Sequence, residues 1–334
     1  MTKPLAALSL DLDNRWSYLK TRGDPEWAGL PSYFDRLLPM VLDLLDEARL
    51  KITFFVVGQD AALEKNGPAL REIPDRGHDI GNHSFKHEPW LSTYGPEDIL
   101  REVREAGRAI TGATGRRPAG FRGPGFSWSP ALVEVLAEEG YLYDATTLPT
   151  FLGPLGRLYY FAKSGLGGED RERRKDLYGN LRDGFRPLRP YVWRTPSRKR
   201  LLEIPVTTMP LLKTPFHLSY LIYLGRYSPA LMDAYLKTAV RLCRISGTGL
   251  SFLLHPLDFL GPEDAPGLSF FPGMDVPPAR KHDFFRRAIA TIARDFDIVD
   301  MATYARTIEA RAGRLTVRET APRPPVRRPR GGSA

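Results

Sequence analysis

The chain has 334 residues, of which 42% are hydrophobic and 26% charged, with one cysteine and a formal net charge of +9. This composition excludes a low-complexity or disulfide-stapled chain, and the lone Cys243 excludes a thiolate metal cluster. No apolar run approaches the length of a membrane span, and the opening MTKPLAALSLDLDN holds too short an apolar segment for a signal-peptide core, so a cytoplasmic location is expected.

The positive charge is concentrated. Arg157 to Arg200 carries 13 Lys or Arg against 5 Asp or Glu, and the last fourteen residues add four arginines and no acid. The basicity therefore belongs to one segment and one tail. No nucleic-acid recognition motif accompanies them, so no nucleic-acid partner is expected. An anionic membrane surface or a phosphate-bearing substrate fits the charge equally well, as does a solvated face.

In chain order, Leu5 to Leu12 reads as a buried strand ending in Asp11 and Asp13, two apart and so on one face of an extended segment. Asn14 to Leu30 reads as a loop, followed by an apolar-periodic helix to about Ala48. A second strand, Ile52 to Gly58, and a helix near Pro68 to Arg76 lead into a third strand at His78 to Gly81. Its end runs into His83 and His87, which share a face if the segment turns helically. A helix at Pro96 to Ile110, a strand opening Gly120 to Gly125 and a helix at Pro130 to Glu139 continue the alternation of a parallel sheet, open or closed into a barrel. Regularity fails over Thr146 to Arg200 and resumes at Leu201 to Thr208. A helix at Pro229 to Ser246, a strand at Leu250 to Leu254 before His255, a helix at Ala279 to Arg294 and a strand at Asp297 to Val299 follow. The expected organisation is a barrel half over 1–145, a basic Gly/Pro/aromatic insertion over 146–200, a second barrel part over 201–315 and a disordered Pro/Arg-rich tail over 316–334.

In parallel α/β folds the carboxyl ends of the strands converge on one mouth, where sites are built. Asp11, Asp13, His83, His87, Arg122, Asp144 and His255 all fall at such ends. Each singly has a bland explanation, as helix cap, surface charge or satisfied polar residue. Their coincidence points to a site.

The segments SLDLDN (9–14), TFFVVG (53–58), GHDIGNHSFKH (77–87), FRGPGFS (121–127) and LLHP (253–256) resemble, in order, the motifs of the NodB-type polysaccharide deacetylases, carbohydrate esterase family 4. The resemblance implies a distorted (β/α)7 barrel, a divalent metal and hydrolysis of an N-acetyl group from an amino sugar. Position by position it implies Asp13, His83 and His87 as metal ligands, Asp11 as catalytic base, Arg122 as its charge partner and His255 as the acid that protonates the departing amine. Two imidazoles and a carboxylate suit Zn²⁺, with Co²⁺ or another first-row ion as alternatives. The backbone N–H of Gly125, after Pro124, is the implied oxyanion donor.

Three departures from the family pattern stand out. Leu12 separates the two acids, Gly125 replaces an aromatic with Phe126 next to it, and the fourth motif retains only Asp144. Asp144 is thus the expected carboxylate partner of His255, with Glu203 as second candidate. Trp16, Tyr18 and Trp27 could stack on sugar rings or pack in the core.

The expected substrate is an N-acylated amino sugar in a glycan or glycan precursor. An alternative is an amino sugar on a polyprenyl phosphate at the inner membrane face, resembling deformylases of lipid-linked aminoarabinose, in which the basic insertion and the aromatic segment Met209 to Met232 contact an anionic membrane. An alternative of another class is a non-catalytic carbohydrate- or partner-binding protein on a deacetylase barrel.

Overall fold

The computed structural model describes residues 3–153, 181–310 and 315–320. Strands β1 (Leu5–Leu12), β2 (Thr53–Val56), β3 (Asp79–Asn82), β4 (Gly120–Phe121) and β5 (Tyr143–Asp144) alternate with helices α1 (Arg15–Arg22), α2 (Phe34–Glu47), α3 (Gly58–Ala61), α4 (Gly67–Asp75), α5 (Pro96–Thr114) and α6 (Pro130–Glu138). Strands β6 (Tyr191–Arg194) and β7 (Arg200–Glu203) follow, then α7 (Leu218–Tyr227), α8 (Pro229–Ser246), β8 (Leu250–Leu254), α9 (Pro278–Asp295), β9 (Asp297–Val299), α10 (Met301–Glu309) and β10 (Val317–Glu319).

The sheet runs β10-β6-β7-β5-β4-β3-β2-β1-β8. From β8 through β1, β2, β3, β4 and β5 to β7, every neighbour is parallel. These seven strands close into a distorted (β/α)7 barrel. The seam is slight: beyond β7 the Thr207 N–H donates to the Ser251 carbonyl of β8 (3.0 Å), and the Ser251 N–H donates to the Thr207 hydroxyl (2.7 Å). One edge of β1 is taken by β8, so the other is divided between β9, along Leu5–Ala7, and β2, along Ser9–Leu12.

Side-chain alternation in β1 builds the site. Ala6, Leu8, Leu10 and Leu12 pack with the apolar faces of α2 and α8, whereas Ala7 packs inside with Phe55, Tyr143 and Leu202. The inward row is therefore Ala7, Ser9, Asp11, apolar at the floor and polar at the mouth. Glycines make room for the large interior rings: a Cβ on Gly120 would lie 1.9 Å from the Tyr143 ring, and one on Gly81 2.3 Å from Phe55. The floor is sealed by α10, whose Met301, Ala302 and Ala305 join this inner cluster.

Three expectations are corrected. Asn14 to Leu30 is not a loop: Asn14 caps α1 through its side chain, and Asp24 caps a 3₁₀ turn over Pro25–Gly29. The segment 146–200 is not wholly irregular, since β6 pairs antiparallel with β7; its residues 154–180 lie outside the described residues. Val317–Glu319, placed in the tail, forms β10 and pairs with β6; residues 321–334 lie outside the described residues.

Candidate metal centre and active site

Asp11 and Asp13 rise from the end of β1 on its inner side, and the loop after β3 delivers both histidines to them. That loop does not turn helically. Ser84 and His87 adopt left-handed backbone conformations (φ 63° and 51°). Asn82 accepts the Ser84 N–H (2.9 Å), and Glu102 on α5 accepts the N–H groups of Phe85 and Lys86 (3.0 and 2.9 Å). The folded-back loop sets the two imidazoles 5.1 Å apart. Nε2 of His87 lies 2.8 Å, and Nε2 of His83 3.3 Å, from the same oxygen of Asp13.

This trio fits a divalent cation. The three side chains are buried and each offers a ligand atom within 4.8 Å of the others. Nδ1 of His83 lies 2.7 Å from the Arg122 carbonyl, which only accepts, so Nδ1 donates and Nε2 of the neutral ring carries its lone pair toward Asp13. Oδ1 of Asp13 is buried without a hydrogen bond. Acceptors gathered around one point are stabilised by a positive charge among them. Positive charge at this point acts on Asp13 in the same sense: burial opposes ionisation of its carboxyl, but His87 and His83, when protonated, outweigh burial through their charge and hydrogen bonds and hold it below the usual range.

Beside the trio, Oδ2 of Asp11 lies 4.0 Å from His83 Nε2, and its other oxygen accepts from Arg122 Nη1 at 2.6 Å. Arg122 is fully buried. It also donates to Ser9 Oγ (2.9 Å) and to the Ala145 carbonyl (3.0 Å), and its guanidinium lies 4.3 Å from the Phe55 ring centre. A charged pair held in so many bonds keeps Asp11 fixed in direction.

His255 follows Leu254, which pairs with Leu10, so it stands level with Asp11 across adjacent strands. Its expected carboxylate partner is corrected. Asp258 lies 4.0 Å from His255 Nδ1 and accepts the His255 N–H (2.8 Å), while Ser219 on α7 lies 3.2 Å from Nδ1. Asp144 is engaged by Thr146, and Glu203 by Thr147 and Trp193. Burial, followed by the neighbouring Glu203 charge, raises the Asp144 carboxyl well above the usual range. This pair ties β5 to β7.

Trp16 is also corrected: it is fully buried, donates to Asp60 (2.9 Å) and meets His87 edge-on at 6.4 Å, so it packs under the His87 ring and offers no face to a sugar. Tyr18 is half-buried, its ring against Phe271, with its hydroxyl near Asp13. Pro124 to Phe126 form a 3₁₀ turn at the mouth in which Gly125 and Phe126 have φ of 59° and 62°, a conformation that favours glycine over the family's aromatic at 125. Sequence reasoning missed Asp60, Glu102, Asp258 and Ser219. Asp60 accepts from Asn14 (2.7 Å) and Trp16, and burial, relieved in part by these bonds, pushes its carboxyl up to about 7. The Asp258 signal was local, three residues after His255 at the start of a 3₁₀ turn.

Fold and site together define a (β/α)7 barrel with an Asp-His-His set that suits a divalent ion. Residues 30–143 match the family model for polysaccharide deacetylases. Over these residues the chain is similar to the NodB-type polysaccharide deacetylases of carbohydrate esterase family 4. It is similar to a chitooligosaccharide deacetylase of Sinorhizobium fredii, 39% identical over 104 residues covering 30% of this chain and 46% of that one. It is also similar to a peptidoglycan deacetylase of Helicobacter pylori, 26% identical over 153 residues, 45% of this chain and 47% of the relative. The chain thus spans about half the length of the curated relatives it matches. A crystal structure described as a polysaccharide deacetylase from Mycobacterium smegmatis shares the fold, with a TM-score of 0.58 at 21% identity, covering 97% of this chain and 99% of that one.

Proposed function

We propose that the protein is a metal-dependent de-N-acylase that removes an acetyl group from an amino sugar of a glycan or glycan precursor. The observation that carries this reading is the grouping at one barrel mouth of the Asp13–His83–His87 set, the Arg122-held Asp11 and, level with Asp11, His255. The names of the similar proteins, deacetylases of chitooligosaccharide and of peptidoglycan, support the substrate class.

Asp13, His83 and His87 would hold the ion, zinc by the chemistry of the donors, with cobalt as an alternative. Such an ion polarises an amide carbonyl and acidifies water. The remaining work belongs to the chain. Asp11, held in direction by Arg122, accepts the proton of the water that adds to the amide carbon. The Gly125 N–H donates to the developing oxyanion, with Pro124 and Phe126 forming the wall beside it. His255, oriented by Ser219 and Asp258, delivers a proton to the nitrogen as the C–N bond breaks, releasing acetate and a free amine. General acid help of this kind contributes about 10² to 10⁴ in rate.

Acetate release from N-acetylglucosamine oligomers, with the protein loaded with Zn²⁺ or Co²⁺ and Asp11→Asn as control, tests the reading. A protein that binds metal and sugar without releasing acetate would leave the non-catalytic binding alternative standing.

A second reading, an amino sugar on a polyprenyl phosphate at the inner membrane face, draws on the exposed Leu211, Leu212, Tyr220, Tyr223, Tyr227 and Leu231 around α7, the helix that carries Ser219 to His255. No helix among the described residues is long and apolar enough to cross a membrane. Flotation with anionic liposomes at low salt separates it from the first.

A further inference from the structure

The first residues of α7 bring two side chains to His255. Ser219 contacts Nδ1 of His255, and His217, the residue before the helix, sets its ring centre 5.7 Å from the ring centre of His255. His217 is only 6% exposed, and its Nδ1 is buried without a hydrogen-bond partner. It stands at the capping position of α7, yet its side chain accepts no backbone N–H there. Tyr220, one turn on, fixes the ring edge-on at 4.7 Å. For packing alone, a leucine or phenylalanine at this position would serve better, because a buried polar atom without a partner costs stability.

Burial, and after it the charges of His255 and Arg122, keep His217 uncharged. A neutral imidazole offers one donor and one acceptor, which matches a hydroxyl, itself both donor and acceptor, and does not suit a phosphate or carboxylate. We propose that His217 is a substrate-binding residue whose unpaired ring nitrogen hydrogen-bonds a hydroxyl of the sugar ring that presents its N-acyl group to His255. The inference rests on the de-N-acylase reading and adds that the ring entering the site is held through a free hydroxyl at this nitrogen.

The test is steady-state kinetics of the full chain, loaded with Zn²⁺ or Co²⁺, on the N-acetylglucosamine tetramer, with thermal melting of each variant as a fold control. His217→Phe keeps the packing and removes the hydrogen bond. It is expected to raise KM about tenfold with kcat within about threefold of the parent. His217→Asn, whose amide falls near the place of Nδ1, is expected to recover most of that loss. An unchanged KM in His217→Phe overturns the inference. So does a collapse of kcat at unchanged KM, which would make His217 a proton-transfer group, or a failure of His217→Asn to recover while melting as the parent does. Absence of acetate release from the parent overturns the de-N-acylase reading and this inference with it, whereas an active parent with an indifferent His217→Phe overturns the inference alone.

Discussion

Nδ1 of His83 donates to the carbonyl oxygen of Arg122 across 2.7 Å, while the Arg122 side chain reaches Asp11 at 2.6 Å. One residue thus orients a candidate metal ligand through its backbone and the proposed base through its guanidinium. The two duties are separable. Arg122→Met is expected to lower kcat by about 10² and to cost about 3–5 kcal/mol of stability, because it leaves a buried carboxylate unpaired. Metal affinity, read by calorimetric titration with Zn²⁺, is expected to stay within about threefold, since the carbonyl survives the substitution. A loss of affinity as large as the loss in kcat would refute this division of roles.

The Asp13–His83–His87 set makes a thermal prediction as a candidate metal site. An ion that binds only the folded chain stabilises it by mass action, about 2.7 kcal/mol at a hundredfold excess over Kd. Adding Zn²⁺ should therefore raise Tm, and a chelator should reverse the rise. In Asp13→Asn or His87→Ala the shift should vanish, whereas in Asp11→Asn it should persist.

The pairing of His255 with Asp258 and Ser219 is tested by Asp258→Asn and Ser219→Ala. Each is expected to reduce kcat about tenfold or more with little change in KM, because a misaligned acid weakens only the transition state. Asp144→Asn, whose carboxyl is engaged by Thr146 and Glu203, should act on melting temperature more than on kcat.

A pH effect is expected from His78, which opens the histidine-bearing motif and is no ligand. It is buried, its Nδ1 accepts the Ile52 N–H at 3.2 Å, and burial, with Lys51 adding, lowers its pKa to about 4 from 6.5. The unfolded chain takes up this proton first as pH falls, so the contribution is fully present above about 6.5 and is lost progressively down to about 4. Neighbouring Asp79, raised to about 6 by burial, works in the opposite direction between its unfolded value and pH 6. Urea unfolding of the parent and of His78→Asn from pH 7 to pH 4 isolates the histidine: their stability difference should shrink as pH falls, and a constant difference would count against it.

The barrel strands were legible because parallel strands covered on both faces read as apolar runs, and the site was legible where strand ends carried paired acids or histidines. What escaped had local physical reasons. The eight residues of α1 bury only Trp16, Ser17 and Leu19, too few to show a period, and the helix is held by the Asn14 cap and the bond from Trp16 to Asp60, 44 residues on. Trp16 was therefore open to a reading as a sugar platform. The approach of His83 and His87 depends on positive φ at Ser84 and on Glu102 from a distant helix, neither visible in the spacing of the pair. Asp144 and Glu203 look alike to Asp258 in sequence; only the register of β5 with β7 shows them occupied with each other.

The strand at Val317–Glu319 has a practical consequence for anyone shortening the protein. It covers the outer margin of β6, taking up the Val192 N–H through the Thr316 carbonyl and giving the Thr320 N–H to Arg194. Trimming the chain before Thr316 would bare a row of main-chain donors and acceptors beside Tyr191 and Trp193, an invitation to self-association that three residues bearing Arg318 and Glu319 now blunt.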